Sequence, residues 1–183
     1  TTLCDEVPPE PGIEAFDKLR ETFREDSWDT VLGIGGGSVL DIAKLLAALG
    51  STGQPVQDFL GKNLLEGRPL NLVCLPTTAG AGSEGSPNAI LYNERERMKQ
   101  AVISPCLMPD ITVIDPELTL SLPPSVTAAT GFDALCHCIE AYANRHAHFI
   151  VDAYAIKGIQ LISHYIETAT NHGDNLEARC ALA

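Results

Sequence analysis

Two rhythms of apolar residues alternate along this chain. In "GIEAFDKLRETFRED" (12–26), Ile13, Phe16, Leu19 and Phe23 recur at spacings of three and four, which predicts an amphipathic helix. "DTVLGIGG" (29–36) is a short apolar run ending in glycine and predicts a buried strand. "SVLDIAKLLAALGSTG" returns to helical periodicity, with Ser38 as the expected N-cap and Asp41 three residues on, as in a capping box. "LNLVCLPTTAGAGSE" (70–84) is again a strand running into a Thr/Gly/Ser loop, and 88–104 reads as strand, charged turn, strand. "DITVIDPELTLSLPP" (110–124) supplies a last strand, ending at Asp115-Pro116.

Strands and helices joined by short glycine turns predict an α/β fold with a parallel sheet. The rhythm changes after Pro123-Pro124, where "SVTAATGFDALCHCIEAYAN" and "FIVDAYAIKGIQLISHYIETAT" both read as helices and no strand follows. A domain boundary is expected near residues 120–125. The chain opens Thr-Thr and closes "NLEARCALA", a helix cut in mid-turn, so an excerpt of a longer protein is expected.

Composition narrows the class. The 183 residues are 45% hydrophobic and 20% charged, enough apolar side chain for a real core. Twelve basic against 24 acidic residues leave a net charge of -12, which argues against a nucleic-acid partner because phosphate must be met by cations. No apolar run approaches the roughly 18 residues of a membrane span, and no leader is visible. Cys4, Cys74, Cys106, Cys136, Cys138 and Cys180 form no CxxC pair and are expected to be buried, reduced thiols of a cytoplasmic protein.

Three stretches carry candidate chemistry. "GIGGGSVLDIAK" (33–44) delivers glycines onto a helix N-terminus, where unpaired N–H groups and the helix dipole can hold phosphate; a plain tight turn is the competing reading. "PTTAGAGSE" (76–84) offers the hydroxyls of Thr77, Thr78 and Ser83, with Gly80 and Gly82 permitting close approach; a polar surface loop is the competing reading. Both loops follow strands, and open parallel sheets bind ligands at that edge. In "GFDALCHCIEAY" (131–142), Asp133 and His137 share one helical face, with Phe132, Leu135, Cys136 and Ile139 expected as the buried stripe. A carboxylate and an imidazole so spaced can share a divalent ion, or form an ordinary surface pair. His146, His148, His164 and His172 read as exposed.

The order of motifs says more than any one. "GGGSVLDIAK", "LPTTAGAGSE" and "MPDITVIDPELTLSLPPSVTAATGFDALCHCIEAY" together resemble the iron-containing (group III) alcohol dehydrogenase family, from about Asp5 to Ala183. The resemblance implies a Rossmann-like parallel-sheet domain over 1–122, lacking its first strand and helix, then the start of an all-helical metal-binding domain over 123–183. It implies a cofactor, NAD or NADP, held by Gly36, Gly37 and Ser38 as the pyrophosphate turn with Asp41 capping beside it, by Thr77, Thr78 and Ser83, by Lys99 on the following hairpin, and by an apolar contact from Leu118. It makes Asp133 and His137 the first two ligands of a catalytic Fe²⁺, with Zn²⁺ the usual substitute. In the family two further histidines downstream of residue 183 complete the set. Ala81 and Gly85-Ser86-Pro87 depart from the usual run.

The implied activity is hydride transfer between a nicotinamide cofactor and a small primary alcohol or diol and its aldehyde. The alternatives are a superfamily member acting on glycerol or a hydroxy acid, and a non-catalytic nucleotide-binding fragment. A homo-oligomer, dimer or larger, is expected, with neither nucleic acid nor membrane as partner.

Overall fold

A computed structural model describes residues 1–24 and 27–183. The chain divides into two compact units: Thr1–Pro76 with Ser83–Val113, and Thr77–Gly82 with Ile114–Ala183.

The first unit is built around one helix. Strand β1 (Thr30–Gly35) runs parallel to β3 (Asn71–Pro76), which runs parallel to β6 (Ile111–Thr112), giving the order β1-β3-β6. Helix α2 (Gly37–Leu49) covers one face of this sheet, packing Leu40, Ala43 and Ala47 on Leu72 and Cys74. The helix comes close because β1 presents glycines to it. A Cβ on Gly33 would stand 2.8 Å from Ala43 Cβ, and one on Gly35 would stand 2.6 Å from Val39 Cβ. These two glycines of the 33–44 stretch are therefore packing residues, whatever the turn beyond them does.

The other side of α2 meets a second, smaller sheet. Strands β4 (Asn88–Asn93) and β5 (Met98–Ile103) form an antiparallel hairpin, and β2 (Gly61–Lys62) lies parallel to β5. Ile42, Leu45, Ala48 and Leu49 of α2 share a core with Ala89, Leu91 and Val102 of the hairpin and with Ile13 and Phe16 of α1 (Ile13–Phe23). Apolar contacts on both sides leave α2 with almost no wet face, so burial rather than propensity stabilises it.

Several expectations need correction. The hairpin at 88–104 forms as predicted but belongs to the small sheet, not the parallel one. The expected helix over 12–26 ends at Phe23, and its last two positions lie outside the described residues. Strand β1 is buried on one side only, since Leu32 and Ile34 are 56% and 51% exposed. The strand expected over 110–116 is the two-residue β6, after which a 3-10 turn follows at Pro116–Thr119. Ser38 is not the N-cap: Gly36 is, with no side-chain cap, and Ser38 lies inside the first turn. Only Cys74 is fully buried; Cys136 and Cys180 are exposed, although all six thiols are free.

The second unit is helical. Helix α3 (Pro124–Tyr142) starts with proline in its first turn, where a missing N–H costs nothing. Helix α4 (Phe149–Asn171) is capped by His148, whose Nδ1 accepts from Ile150 N at 3.3 Å. A short α5 (Leu176–Leu182) follows, capped by Asn175. Small residues let α3 and α4 approach: a Cβ on Gly131 would meet Ile166 Cδ1 at 2.1 Å, and one on Gly158 would meet Cys138 Sγ at 2.6 Å. The line α3 turns inward thus runs through Thr127, Gly131 and Cys138. Phe132, Cys136 and Ile139, expected as its buried stripe, are exposed, and Leu135 is half-buried. The buried Arg179 of α5 donates to Thr127 Oγ1 at 2.7 Å and to the Gly173 carbonyl at 2.9 Å, fastening α5 to α3. No helix among the described residues is long and apolar enough to cross a membrane.

Candidate functional site

At its N-terminus, α2 presents the turn Gly36-Gly37-Ser38 directly after β1. The N–H groups of Val39 and Leu40 already donate to the Gly36 carbonyl at 3.0 and 3.1 Å, so the free donors of the turn are those ahead of them. The Ser38 hydroxyl accepts from Glu10 N at 3.2 Å.

Asp41 does not cap this helix. Its carboxylate accepts from Ser83 Oγ at 2.5 Å and from Ile90 N at 3.0 Å, which ties α2 to the segment leading into β4. Burial pushes its pKa above the ordinary carboxylate value, and the Ser83 and Ile90 hydrogen bonds oppose that rise. One turn on, Lys44 is wholly buried and donates to the Ser86 and Asn88 carbonyls, each at 2.8 Å, with Asp41 Oδ1 4.0 Å away. Burial lowers its pKa and the Asp41 charge counteracts it. Sequence reasoning missed Lys44. The available signal was a lysine three residues from an aspartate within an otherwise apolar helix. Ser83 is likewise occupied as a structural donor.

Lys99, on β5, forms a 2.7 Å ion pair with Glu10. Leu118 sits half-buried in the 3-10 turn at Pro116–Thr119. Thr77 and Thr78 are half-buried at the start of the loop after β3.

In the helical unit, Asp133 and His137 do lie together on α3. Asp133 Oδ1 and His137 Nε2 are 3.9 Å apart, and both side chains are slightly more than half exposed. His137 Nδ1 stands 3.4 Å from the Gly80 carbonyl oxygen. With its proton on Nδ1 the ring donates to that carbonyl and turns an unprotonated Nε2 toward Asp133. Gly80 is held against α3, since a Cβ there would fall 2.4 Å from the Thr130 carbonyl oxygen. The donor set fits a divalent ion as two ligands of a larger set: two bonds of about 2.1 Å each can span the gap. No cluster of three or more His, Cys, Asp or Glu able to hold a metal occurs among the described residues. His146, His148, His164 and His172 are all exposed, as expected.

Comparison with known proteins bears on this arrangement. Residues 1–116 match the model of the iron-containing alcohol dehydrogenases, and residues 127–183 match the C-terminal model of the same family. The chain belongs to the iron-containing alcohol dehydrogenase family. Long-chain-alcohol dehydrogenase 1 of Geobacillus thermodenitrificans is 40% identical over 181 residues, covering 97% of this chain and 45% of that enzyme. An iron-containing alcohol dehydrogenase from Thermotoga maritima superposes with a TM-score of 0.91 at 35% identity, over 99% of this chain and 49% of that one. Sulfoacetaldehyde reductase from Bifidobacterium kashiwanohense, solved in complex with NAD+, gives a TM-score of 0.91 at 32% identity, over 100% and 49%. The chain thus spans about half the length of the relatives it matches.

Proposed function

We propose that this chain is part of a metal-dependent, NAD(P)-linked oxidoreductase that interconverts a small primary alcohol or diol and its aldehyde. The observation that carries the reading is the Asp133–His137 pair with Nδ1 of the imidazole engaged by a backbone carbonyl. That is the orientation a metal-ligating histidine requires. Family membership and the glycine turn after β1 support the cofactor half.

In this reading Gly36, Gly37 and Ser38 bind the pyrophosphate through backbone N–H groups at the start of α2. Thr77, Thr78 and Ser83 line the second cofactor loop, Lys99 supplies a cation, and Leu118 an apolar contact. Asp41 and Lys44 hold the segment after that loop in place. Asp133 and His137 supply one carboxylate and one imidazole toward Fe²⁺ or Zn²⁺, a nitrogen/oxygen pair that either ion accepts. The ion, when bound, supplies Lewis acidity for an alcohol oxygen, and the nicotinamide the carbon that accepts hydride. Residues 1–122 serve as the dinucleotide-binding domain and 123–183 begin the helical metal and substrate domain. The protein is assigned to the cytoplasm, as a homo-oligomer.

Metal analysis of the intact protein tests this. Asp133→Ala and His137→Ala should each abolish metal retention and turnover with C2–C4 alcohols and diols. Full metal content and activity in either variant would overturn the site.

A further inference from the structure

Glu10 was not expected to take part in any site, yet it touches two residues assigned to the cofactor. Its backbone N–H donates to Ser38 Oγ at 3.2 Å, at the glycine turn, and its carboxylate meets Lys99 Nζ at 2.7 Å. The placement is set by the backbone. The neighbouring Pro11 carbonyl accepts from Tyr92 N at 3.0 Å, Gly12 bridges to Tyr92, and Tyr92 is the cross-strand partner of Lys99. Glu10 also holds a left-handed backbone (φ 50°) between prolines, a conformation that costs energy in a non-glycine residue. Strain, an amide on the turn and a carboxylate on the lysine converge on one residue.

We propose that Glu10 sets the affinity of the phosphate turn by competing with the cofactor's pyrophosphate for Lys99. The inference rests on the cofactor reading above. Because one residue puts its amide on the turn and its carboxylate on Lys99, an incoming anion is opposed twice: Glu10 holds the lysine assigned to the cofactor and repels the added charge. Both partners are more than half exposed, at 57% for Lys99 and 66% for Glu10, so water screens the pair and the effect is graded rather than absolute.

Calorimetric titration of the intact protein with NAD+ and with ADP-ribose, which has the pyrophosphate but no nicotinamide, tests the proposal. Glu10→Gln keeps the backbone and removes the charge. It should tighten both ligands by about twofold to fivefold, the scale of one exposed charge pair. The gain should shrink at high salt and vanish in a Lys99→Met background. Unchanged or weaker binding by Glu10→Gln, with the wild type binding both ligands, would overturn the role of Glu10 alone. Binding of neither ligand by the wild type would overturn the cofactor reading and this inference with it.

Discussion

Lys44 Nζ donates to the carbonyl of Asn88 at 2.8 Å from a side chain with no solvent contact. A buried ammonium is costly unless its donors are met, and here two carbonyls and the nearby Asp41 carboxylate meet them. Lys44→Met would leave both carbonyls and Asp41 without that partner. It should destabilise the fold by about 3 kcal/mol. Urea unfolding of the variant against wild type measures this, and a loss below 1 kcal/mol would show that the network is dispensable.

Gly80 and Gly131 both face crowded surroundings but differ in what would have to move. A Cβ at Gly80 meets backbone, the Thr130 carbonyl oxygen, whereas one at Gly131 meets the tip of the Ile166 side chain. Gly80→Ala should therefore cost more than Gly131→Ala, roughly 3 against 1 kcal/mol. Thermal melts rank the two, and the reverse order would contradict the packing. Gly80→Ala should also weaken metal retention through the displaced carbonyl beside His137.

Thiol labelling separates the cysteines. Cys136 and Cys180 are exposed and should react with a disulfide reagent within minutes at pH 8. Cys74 is buried, and burial pushes its pKa up to about 11, so it should react only when the fold opens. Rapid modification of all six thiols in native buffer would contradict this.

Asp110 predicts an acid-range dependence. Its carboxylate accepts from Leu72 N at 2.7 Å and pairs with Arg68 at 2.8 Å; the Leu72 hydrogen bond first, then Arg68, holds its pKa below the ordinary value. A depressed carboxylate contributes stability that is complete above its unfolded pKa of about 3.9 and is lost as pH falls through the folded value. The stability gap between wild type and Asp110→Asn should thus be constant above pH 5 and close below pH 4. A gap that persists at pH 2 would assign the effect to neutral contacts.

What could be read from the sequence, and what could not, follows from the range of each interaction. Periodicity in 12–23 and 38–49 is local, and both helices form. The i, i+4 relation of Asp133 and His137 is fixed by helical geometry, so their meeting was legible before any fold. Which way α3 turns was not. Its apolar content lies on both sides, and the small residues Gly131 and Gly158 choose the contact face. Asp41 looked like a cap because it stands three residues from Ser38, but Ser83 and Ile90 lie 42 and 49 residues away in sequence. Glu10 and Lys99 are separated by 89 residues, and nothing in "PPEPG" announces that pairing.

The face of the parallel sheet opposite α2 presents Leu32, Ile34, Ile111 and Val113 to water, each at least 42% exposed. Branched side chains in a row on paired strands are adhesive. Against that adhesion stands a net charge of -12, which keeps molecules apart at low ionic strength. Salt removes the repulsion and leaves the adhesion intact. For these 183 residues taken by themselves, dilute buffer therefore favours dispersal and added salt favours association through this face.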